Sequence, residues 1–532
     1  MSVLLAFAYK IKFTFLGIFR KRLRMSFLDY SNTRDLTYWR KFEERESDWR
    51  NGACIYQIIV DRFVPAANLD AKRHLYERPK QLHDWSEEPR KGHYLHEHEV
   101  WSHELDFWGG DLQSTRSRID YLKFLDVDVL YTTPINPAWT NHGYDGISYR
   151  GVRDEYGTMD DFRALAKDLH DNNLRLILDG VFNHLGRKSL AFQEQPNPDN
   201  ASRSWFEIDP NLPDGSRNWA NVRNLPELVL ENPAVAKHLW SGADSVVRSW
   251  LREGADGWRL DVSYELGMYF LGKITQAAHQ EKPKSLVLGE MPNWPAEWFP
   301  ELDGVLNFPL REIIIRIADG RISSAQGQRM MERMFDECDF EHMLKSWVYL
   351  DNHDTARITH VLPNERERRL AIFLQFTLPG SVNLYYGTEL GMTGGEEPES
   401  RAPMRWDLAN DSNQTLALYR DLIKLRREHR ALRIGDLNWL VAEKLLGFER
   451  RTNRVKDSVF VIANPGKETV TETVLLANSK LMDHALLLDE FTGQRLEIMR
   501  SMVDITLEPG QVAVLTPLVE PVDGYSPYKR IH

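Results

Sequence analysis

The chain is short of cysteine, of unbroken hydrophobic length and of positive charge, and each shortage removes a class of explanation. Its two cysteines, Cys54 and Cys338, stand far apart in 532 residues and in no CxxC pattern. A disulfide framework and a thiolate zinc site are thereby excluded, and both thiols are expected to be buried. The formal charge of −11 carries no basic footprint, so no nucleic-acid partner is expected and a neutral or small substrate fits better. The most apolar stretch, "SVLLAFAYKIKFTFLGIF", is broken by Lys10 and Lys12 and followed by the basic run "RKRLR" (20–24). A secretory signal wants its charge first, and a spanning helix needs about 20 unbroken apolar residues. Residues 1–50 are therefore read as an N-terminal extension outside the fold, with Met25 an alternative start. No membrane partner is expected, and the protein is placed in the cytoplasm.

What is present is an ordinary globular composition, 42% hydrophobic and 27% charged. After about residue 50, short β-rich runs alternate with helical patterns. The strand candidates are "CIYQIIV" (54–60), "VDVLYTT" (127–133), "LRLILDG" (174–180) and "DGWRLDV" (256–262), then "SLVLGE" (285–290), "DGVLNF" (303–308), "SWVYLD" (346–351) and "SVNLYYG" (381–387). Between them lie amphipathic stretches such as "MDDFRALAKDLHDN" (159–172), with Asp160 as its expected N-cap, and 231–254. Eight strands alternating with helices is the pattern of a closed (β/α)8 TIM barrel. A doubly wound sheet is the runner-up, but no glycine fingerprint follows the first strand. Residues 185–232 are too long for a plain βα connection and should form a small excursion domain after strand three. The barrel would then occupy 51–184 and 233–436. From 437 to 532 short alternating strands predict an all-β, sandwich-like C-terminal domain.

Catalytic groups of such barrels stand at the C-terminal ends of strands. Asp179 closes strand three, followed by Asn183 and His184. Arg259 and Asp261 close strand four, Glu290 closes strand five, and Asp351, His353 and Asp354 close strand seven. Like charges converging on one mouth cost stability, so a function is expected there. Cleavage of a glycosidic bond suits the mouth. It needs an ionised nucleophile and a protonated acid, about 5–5.5 Å apart on the retaining path. Asp261 shares a strand face with Arg259, which favours its anion. Glu290 follows an apolar strand with no adjacent cation, which suits a protonated carboxyl.

The stretches "DGVFNH" (179–184), "GWRLDV" (257–262), "LGE" (288–290) and "LDNHD" (350–354) resemble the four conserved regions of the α-amylase family, glycoside hydrolase family 13. Order, spacing and strand placement agree from about residue 50 to 435. Within it the chain looks most like the cyclomaltodextrinase, neopullulanase and maltogenic amylase branch. This rests on "DFWGGDLQS" (106–114), Glu265, "LDGVLNFPL" (302–310) and "YYGTELGMTGGEEPESRAPMRWD" (385–407). The resemblance implies Asp261 as nucleophile, Glu290 as acid/base and Asp354 as a clamp on sugar hydroxyls. It implies substrate contacts from Arg259, His184, His353 and Tyr144, the last as a stacking platform. Asp145 would pair with Arg401, as in relatives that grip a chain's non-reducing end. Asp179 and Asn183 would brace loops.

That branch usually has a β-domain ahead of its barrel, whereas about fifty residues precede strand one here, so the chain is read as lacking it and as a monomer or weak homodimer. Classical members hold calcium with a histidine after the nucleophile strand; this chain has Glu265 there. No metal and no cofactor are expected. The histidines of "GHYLHEHEVWSH" (92–103), His93, His96, His98 and His103, lack an HExxH pattern and read as a loop. Trp139, Trp205 and Trp219 are candidate sugar-stacking residues, Trp240 and Trp250 core. Three functions follow: a retaining α-glucoside hydrolase on malto-oligosaccharides, a transglycosylase with the same residues, or a non-catalytic barrel. The intact carboxylates argue against the last.

Overall fold

The computed structural model describes residues 33–194, 202, 204–521 and 525–528. Eight parallel strands close into a barrel: β1 (Cys54–Ile58), β2 (Val129–Thr132), β3 (Arg175–Gly180), β4 (Gly257–Leu260), β5 (Leu286–Met291), β6 (Gly304–Asn307), β7 (Trp347–Val348) and β8 (Ser381–Tyr385). Each pairs with its neighbours in chain order, and β8 returns to β1. All eight expected strands are present, each trimmed by a residue or more except at the end of β3 and β5 and at the starts of β1 and β8.

Alternation along the strands sorts their side chains. Cys54, Tyr56 and Ile58 of β1 point outward into the core between barrel and helices. Ile55 points inward, to a separate cluster with Val129, Ile177, Leu286, Leu288, Leu306 and Trp347. Further along six of the strands the inward positions turn polar: Gln57, Tyr131, Asp179, Arg259, Glu290 and Asn383. The barrel is thus plugged by apolar packing at its N-terminal end and lined by charge at its C-terminal end.

Helix α1 (Thr33–Ser47) corrects the reading of residues 1–50 as lying outside the fold. Arg45 is buried, and its guanidinium ties the helix to Glu341 at 2.6 Å, Asp436 at 2.8 Å and the Ile434 carbonyl at 2.8 Å. The apolar stretch and basic run before it lie outside the described residues. Helix α2 (Met159–Asp171) is capped not by Asp160 but by Thr158, whose hydroxyl accepts from the Asp161 amide at 3.2 Å while Asp161 reaches back to the Thr158 amide. This reciprocal box satisfies two orphan donors, which Asp160, already inside the first turn, cannot do. The helical pattern over 231–254 divides: α3 (Pro233–Ala236) widens into a loose turn over 237–241, breaks at Gly242 and resumes as α4 (Val246–Glu253).

The described residues between β3 and α3 form single helical turns, such as Leu190–Gln193, and isolated bridges, among them His184 with Glu227 and Asn218 with Pro226. The C-terminal part is antiparallel: β9 (Asp436–Trp439), β10 (Leu446–Arg451), β11 (Val459–Ala463), β12 (Val470–Leu475), β13 (Leu486–Asp489), β14 (Arg495–Glu497), β15 (Met502–Leu507) and β16 (Val512–Pro517). Six strands run in the order β9-β10-β11-β16-β13-β14, and β12 pairs with β15. Phe460, Ile462 and Leu515 face a small core of this unit, whereas Val459, Val461 and Val514 join the barrel core.

Arg450 of β10 pins that junction. It is fully buried and donates to the carbonyls of Thr377 at 2.9 Å, Leu432 at 3.1 Å and Gly435 at 2.9 Å. Replacing Arg450 with Met should leave three buried acceptors unpaired. An unsatisfied buried group costs about 1–3 kcal/mol, so a loss of roughly 3 kcal/mol or more is expected as a lowered urea midpoint at unchanged m-value. An unchanged midpoint would show that water or neighbouring amides replace the arginine.

Candidate active site

The polar mouth is organised around Arg259. Its side chain is 1% exposed. Nη1 donates to Asp179 at 2.9 and 3.1 Å and to Asp261 Oδ1 at 2.9 Å, while Nη2 lies 3.0 Å from Glu290 Oε1. One guanidinium thus meets carboxylates from β3, the turn after β4, and β5. The strand register makes this possible, because Asp179 lies beside Arg259 and Leu260 beside Gly289, one residue before Glu290. Asp179 also accepts the hydroxyls of Tyr131 at 2.7 Å and Tyr144 at 2.9 Å. Directly after Asp261 the chain turns left-handed at Val262, with φ 46°. That region is strained for a β-branched residue, and such strain persists where surrounding structure holds it. Here it aims the Val262 amide at Glu290 Oε2, 2.9 Å away.

The end of β7 supplies a second group. Asp354 lies 3.0 Å from His353 Nε2 and 3.2 Å from Arg401 Nη2. Burial would raise its pKa, but His353, Arg401 and Arg259 together hold it well below the usual carboxylate range. Arg401 also donates to the His353 carbonyl at 2.7 Å and pairs with Glu397 at 2.6 Å. The rings of Tyr144 and His353 are nearly parallel, with centroids 5.4 Å apart. His184 lies under Trp219, centroids 5.6 Å apart, and neither buried ring nitrogen has a well-formed hydrogen bond. Burial lowers its pKa to about 4, so the ring is neutral near pH 7. A carboxylate pair sharing one cation, ringed by partnerless donors and acceptors, is equipped to hold and cleave a polyhydroxylated molecule.

Comparison with known proteins gives this geometry its family. The model of the α-amylase catalytic domain matches residues 57–415. The chain belongs to the α-amylase family. Neopullulanase 2 of Thermoactinomyces vulgaris is 31% identical over 490 residues, covering 88% of this chain and 78% of that protein. The intracellular maltogenic amylase of Bacillus subtilis (strain 168) is 30% identical over 482 residues, covering 88% and 77%. Among solved structures, the cyclic α-maltosyl-(1→6)-maltose hydrolase of Arthrobacter globiformis superposes with a TM-score of 0.74 at 26% identity, over 88% of this chain and all of that one.

In this α-amylase-family chain Asp261, Glu290, Asp354, Arg259, His353, Arg401, Tyr144 and Asp179 are brought together by direct contacts. The expected pair of Asp145 with Arg401 does not form. Asp145 is buried and saturated by its own surroundings: the Thr140 amide at 3.1 Å, the Thr140 hydroxyl at 2.5 Å and Asn224 at 3.1 Å. Arg401 spends its fork on Asp354 and Glu397 instead. The electrostatic contrast between the two central carboxyls also needs correction. Glu290 does have an adjacent cation, because Arg259 reaches both. Burial pushes the Asp261 pKa up, Arg259 opposes this, and Glu290, Asp179 and Asp354 add to it. Neighbours on one strand show in a sequence; a guanidinium forked between two strands does not.

Among the tryptophans, Trp205 packs on His238 at 4.9 Å, Trp139 carries the Lys188 ammonium at 3.4 Å, and Trp240 and Trp250 are core. Sequence reasoning passed over Tyr131 and Gln57. Each is a polar residue inside an apolar strand run, on the inward face, and that was their only signal.

Among the described residues no group of three or more His, Cys, Asp or Glu is arranged to hold an ion. His103 accepts from the Gly92 amide at 3.1 Å, and His98 leans on Trp139. Glu265 is exposed, with Asn183 at 3.5 Å as a distant donor. In the loop after β1, the Lys72 ammonium joins buried Asp111 at 2.6 Å to the Glu155 carbonyl at 3.3 Å. Prolonged chelation should therefore leave activity and melting temperature unchanged, whereas Lys72→Met should lower the melting temperature by several degrees by leaving Asp111 unpaired. Chelator-induced destabilisation reversed by calcium would refute the first expectation.

Proposed function

We propose that this chain is a retaining hydrolase of α-glucosidic bonds in malto-oligosaccharides or related α-glucans, with Asp261 as nucleophile and Glu290 as acid/base. The observation that carries the reading is the guanidinium of Arg259 lying between these two carboxyls. Groups flanking one guanidinium suit the close spacing of the retaining path, about 5–5.5 Å, rather than the wider inverting one. Arg259 holds Oδ1 of Asp261, and the other oxygen attacks the anomeric carbon. Glu290 gives its proton to the glycosidic oxygen as the bond breaks. Water then enters, Glu290 takes its proton, and the oxygen displaces Asp261 to restore the starting state.

The ring passes through an oxocarbenium-like state whose positive charge favours an ionised Asp261, against the burial that raises its pKa. Double displacement asks Glu290 to supply the proton, and the Val262 amide holds its carboxyl in place. Asp354, held as an anion, clamps two neighbouring hydroxyls. Tyr144 stacks against the ring, and His184, His353 and Arg401 complete the sugar contacts. The relatives bear α-glucan names, neopullulanase and maltogenic amylase among them, which supports this substrate class.

Transfer to a second sugar uses the same residues. One observation favours testing it: Met268, Tyr269 and Trp294, after β4 and β5, are 38–69% exposed, an apolar surface an acceptor could stack on. Both free cysteines are buried, which fits a reducing compartment such as the cytoplasm. Among the described residues no helix is long and apolar enough to cross a membrane.

Asp261→Asn should lower kcat on maltotriose by roughly 10⁴-fold, and Glu290→Gln should lose less on aryl glucosides whose leaving groups need little protonation. Early product should be the α-anomer by NMR. A β-anomeric first product, or an active Asp261→Asn variant, would defeat the assignment. Resolved products from maltotriose, isomaltose, cyclodextrin and pullulan separate hydrolysis from transfer and α-1,4 from α-1,6 cleavage.

A further inference from the structure

Gln57 is the one amide side chain in β1, 1% exposed and facing inward beneath the mouth. Its amide nitrogen lies 2.8 Å from His353 Nδ1, and its amide oxygen accepts from Asn383 Nδ2 at 3.1 Å. An amide N–H can only donate, so Nδ1 must accept, and the ring proton belongs on Nε2. That nitrogen faces Asp354 Oδ2 at 3.0 Å and the Tyr144 oxygen at 2.5 Å. Both need a donor there, because Tyr144 gives its own proton to Asp179. We propose that Gln57, held by Asn383, is a positioning residue that fixes the His353 tautomer and thereby the direction of a hydrogen-bond chain running Asn383, Gln57, His353, Tyr144, Asp179. This rests on the active-site reading above.

The consequence reaches the nucleophile. With the proton on Nδ1 instead, the Nε2 lone pair would confront the Asp354 carboxylate. Tyr144 would turn its hydroxyl toward the ring, and Asp179 would lose a donor. Asp179 and Asp261 share Nη1 of Arg259, so an Asp179 short of one donor competes harder for the group that aims Asp261. The charged groups facing the imidazole come from several elements: Asp354 on its own loop, Arg401 after β8, and Asp179 across the mouth behind Tyr144. Arg401 donates to the His353 carbonyl rather than to the ring, so it does not select the tautomer.

The test compares two substitutions at position 57. Gln57→Leu removes the donor to Nδ1 and frees the tautomer. Its kcat/KM on maltotriose should fall about 10²-fold at pH 8 and recover part of that loss in acid, because an imidazolium carries the Nε2–H donor whatever the tautomer. Gln57→Glu keeps the shape and demands a proton on Nδ1, so the ring carries both and Nε2–H survives. It should outperform Gln57→Leu above neutral pH. A merely structural role predicts the reverse order, since burying a carboxylate costs more than burying a leucine. Asn383→Ala should show the Leu signature in milder form, which covers a Gln57 variant that fails to fold. A pH-independent loss in Gln57→Leu, activity equal to wild type, or a Glu variant worse than Leu at every pH would overturn the proposal. Asp354→Asn and Asp261→Asn, assayed alongside, separate the two levels. If those remain active the site itself is misassigned, whereas if they are inactive only the role of Gln57 fails.

Discussion

A guanidinium sealed from water keeps its charge only where anions surround it, and Arg259 meets that requirement from three consecutive strands. Burial would lower its pKa, but Asp179 and Glu290, with Tyr131 and Tyr144, raise it well above the usual value. The dependence is mutual. Three carboxylates at one barrel mouth repel one another, and without the central cation each would shed its charge or pull away. Moving any one strand by a residue would turn its contribution to the outer face and leave a buried charge uncompensated, a cost of several kcal/mol. Catalytic geometry and barrel register are therefore specified by the same contacts.

The barrel accommodates so polar a centre by confining it to one end. The inward cluster from Ile55 to Trp347 fills the N-terminal part with apolar atoms, and the polar layer begins only at the level of Gln57 and Asn383. Polar groups in that layer satisfy one another in an ordered sequence, with tyrosine hydroxyls and amides linking the charges. Such a network rigidifies when every member is paired. Its unpaired members mark where another molecule belongs, and His184 beneath Trp219 is the clearest of them.

Cations built into side chains recur away from the mouth. Lys72 secures Asp111, Lys80 and Arg153 secure Glu155, and Arg62 lies along Asp61, which also accepts the amides of Trp108 and Gly109. Lys80–Glu155, with the Lys72 donation to the Glu155 carbonyl, ties the long loop after β1 to the loop after β2 that carries Tyr144, and the other pairs brace one loop internally. At the opposite end, buried arginines meet carbonyl oxygens rather than carboxylates, with Arg426 reaching Phe376, Gly52 and Gly380, and Arg450 joining the C-terminal sheet. Guanidinium suits both tasks because its planar fork offers five fixed donors.

The sequence by itself determined the barrel and the identity of the charged residues at its mouth. Strand periodicity decides which side chains point inward, and that information is local: "GWRLDV" places Arg259 and Asp261 on one face without reference to the rest of the chain. The same locality shows in the eight alternating runs and in the antiparallel C-terminal strands. Tertiary structure alone decided which charges share a partner. Glu290 joined Asp261 on one guanidinium because β4 and β5 stack in a particular register. Asp145 turned to Thr140 and Asn224, contacts shaped by a loop and by the segment beyond β3. Helix α1 packed because Arg45 found Glu341 and Asp436, hundreds of residues distant in the chain. Inward or outward is a property of neighbouring residues; pairing across the barrel is a property of closure, which no short stretch of sequence contains.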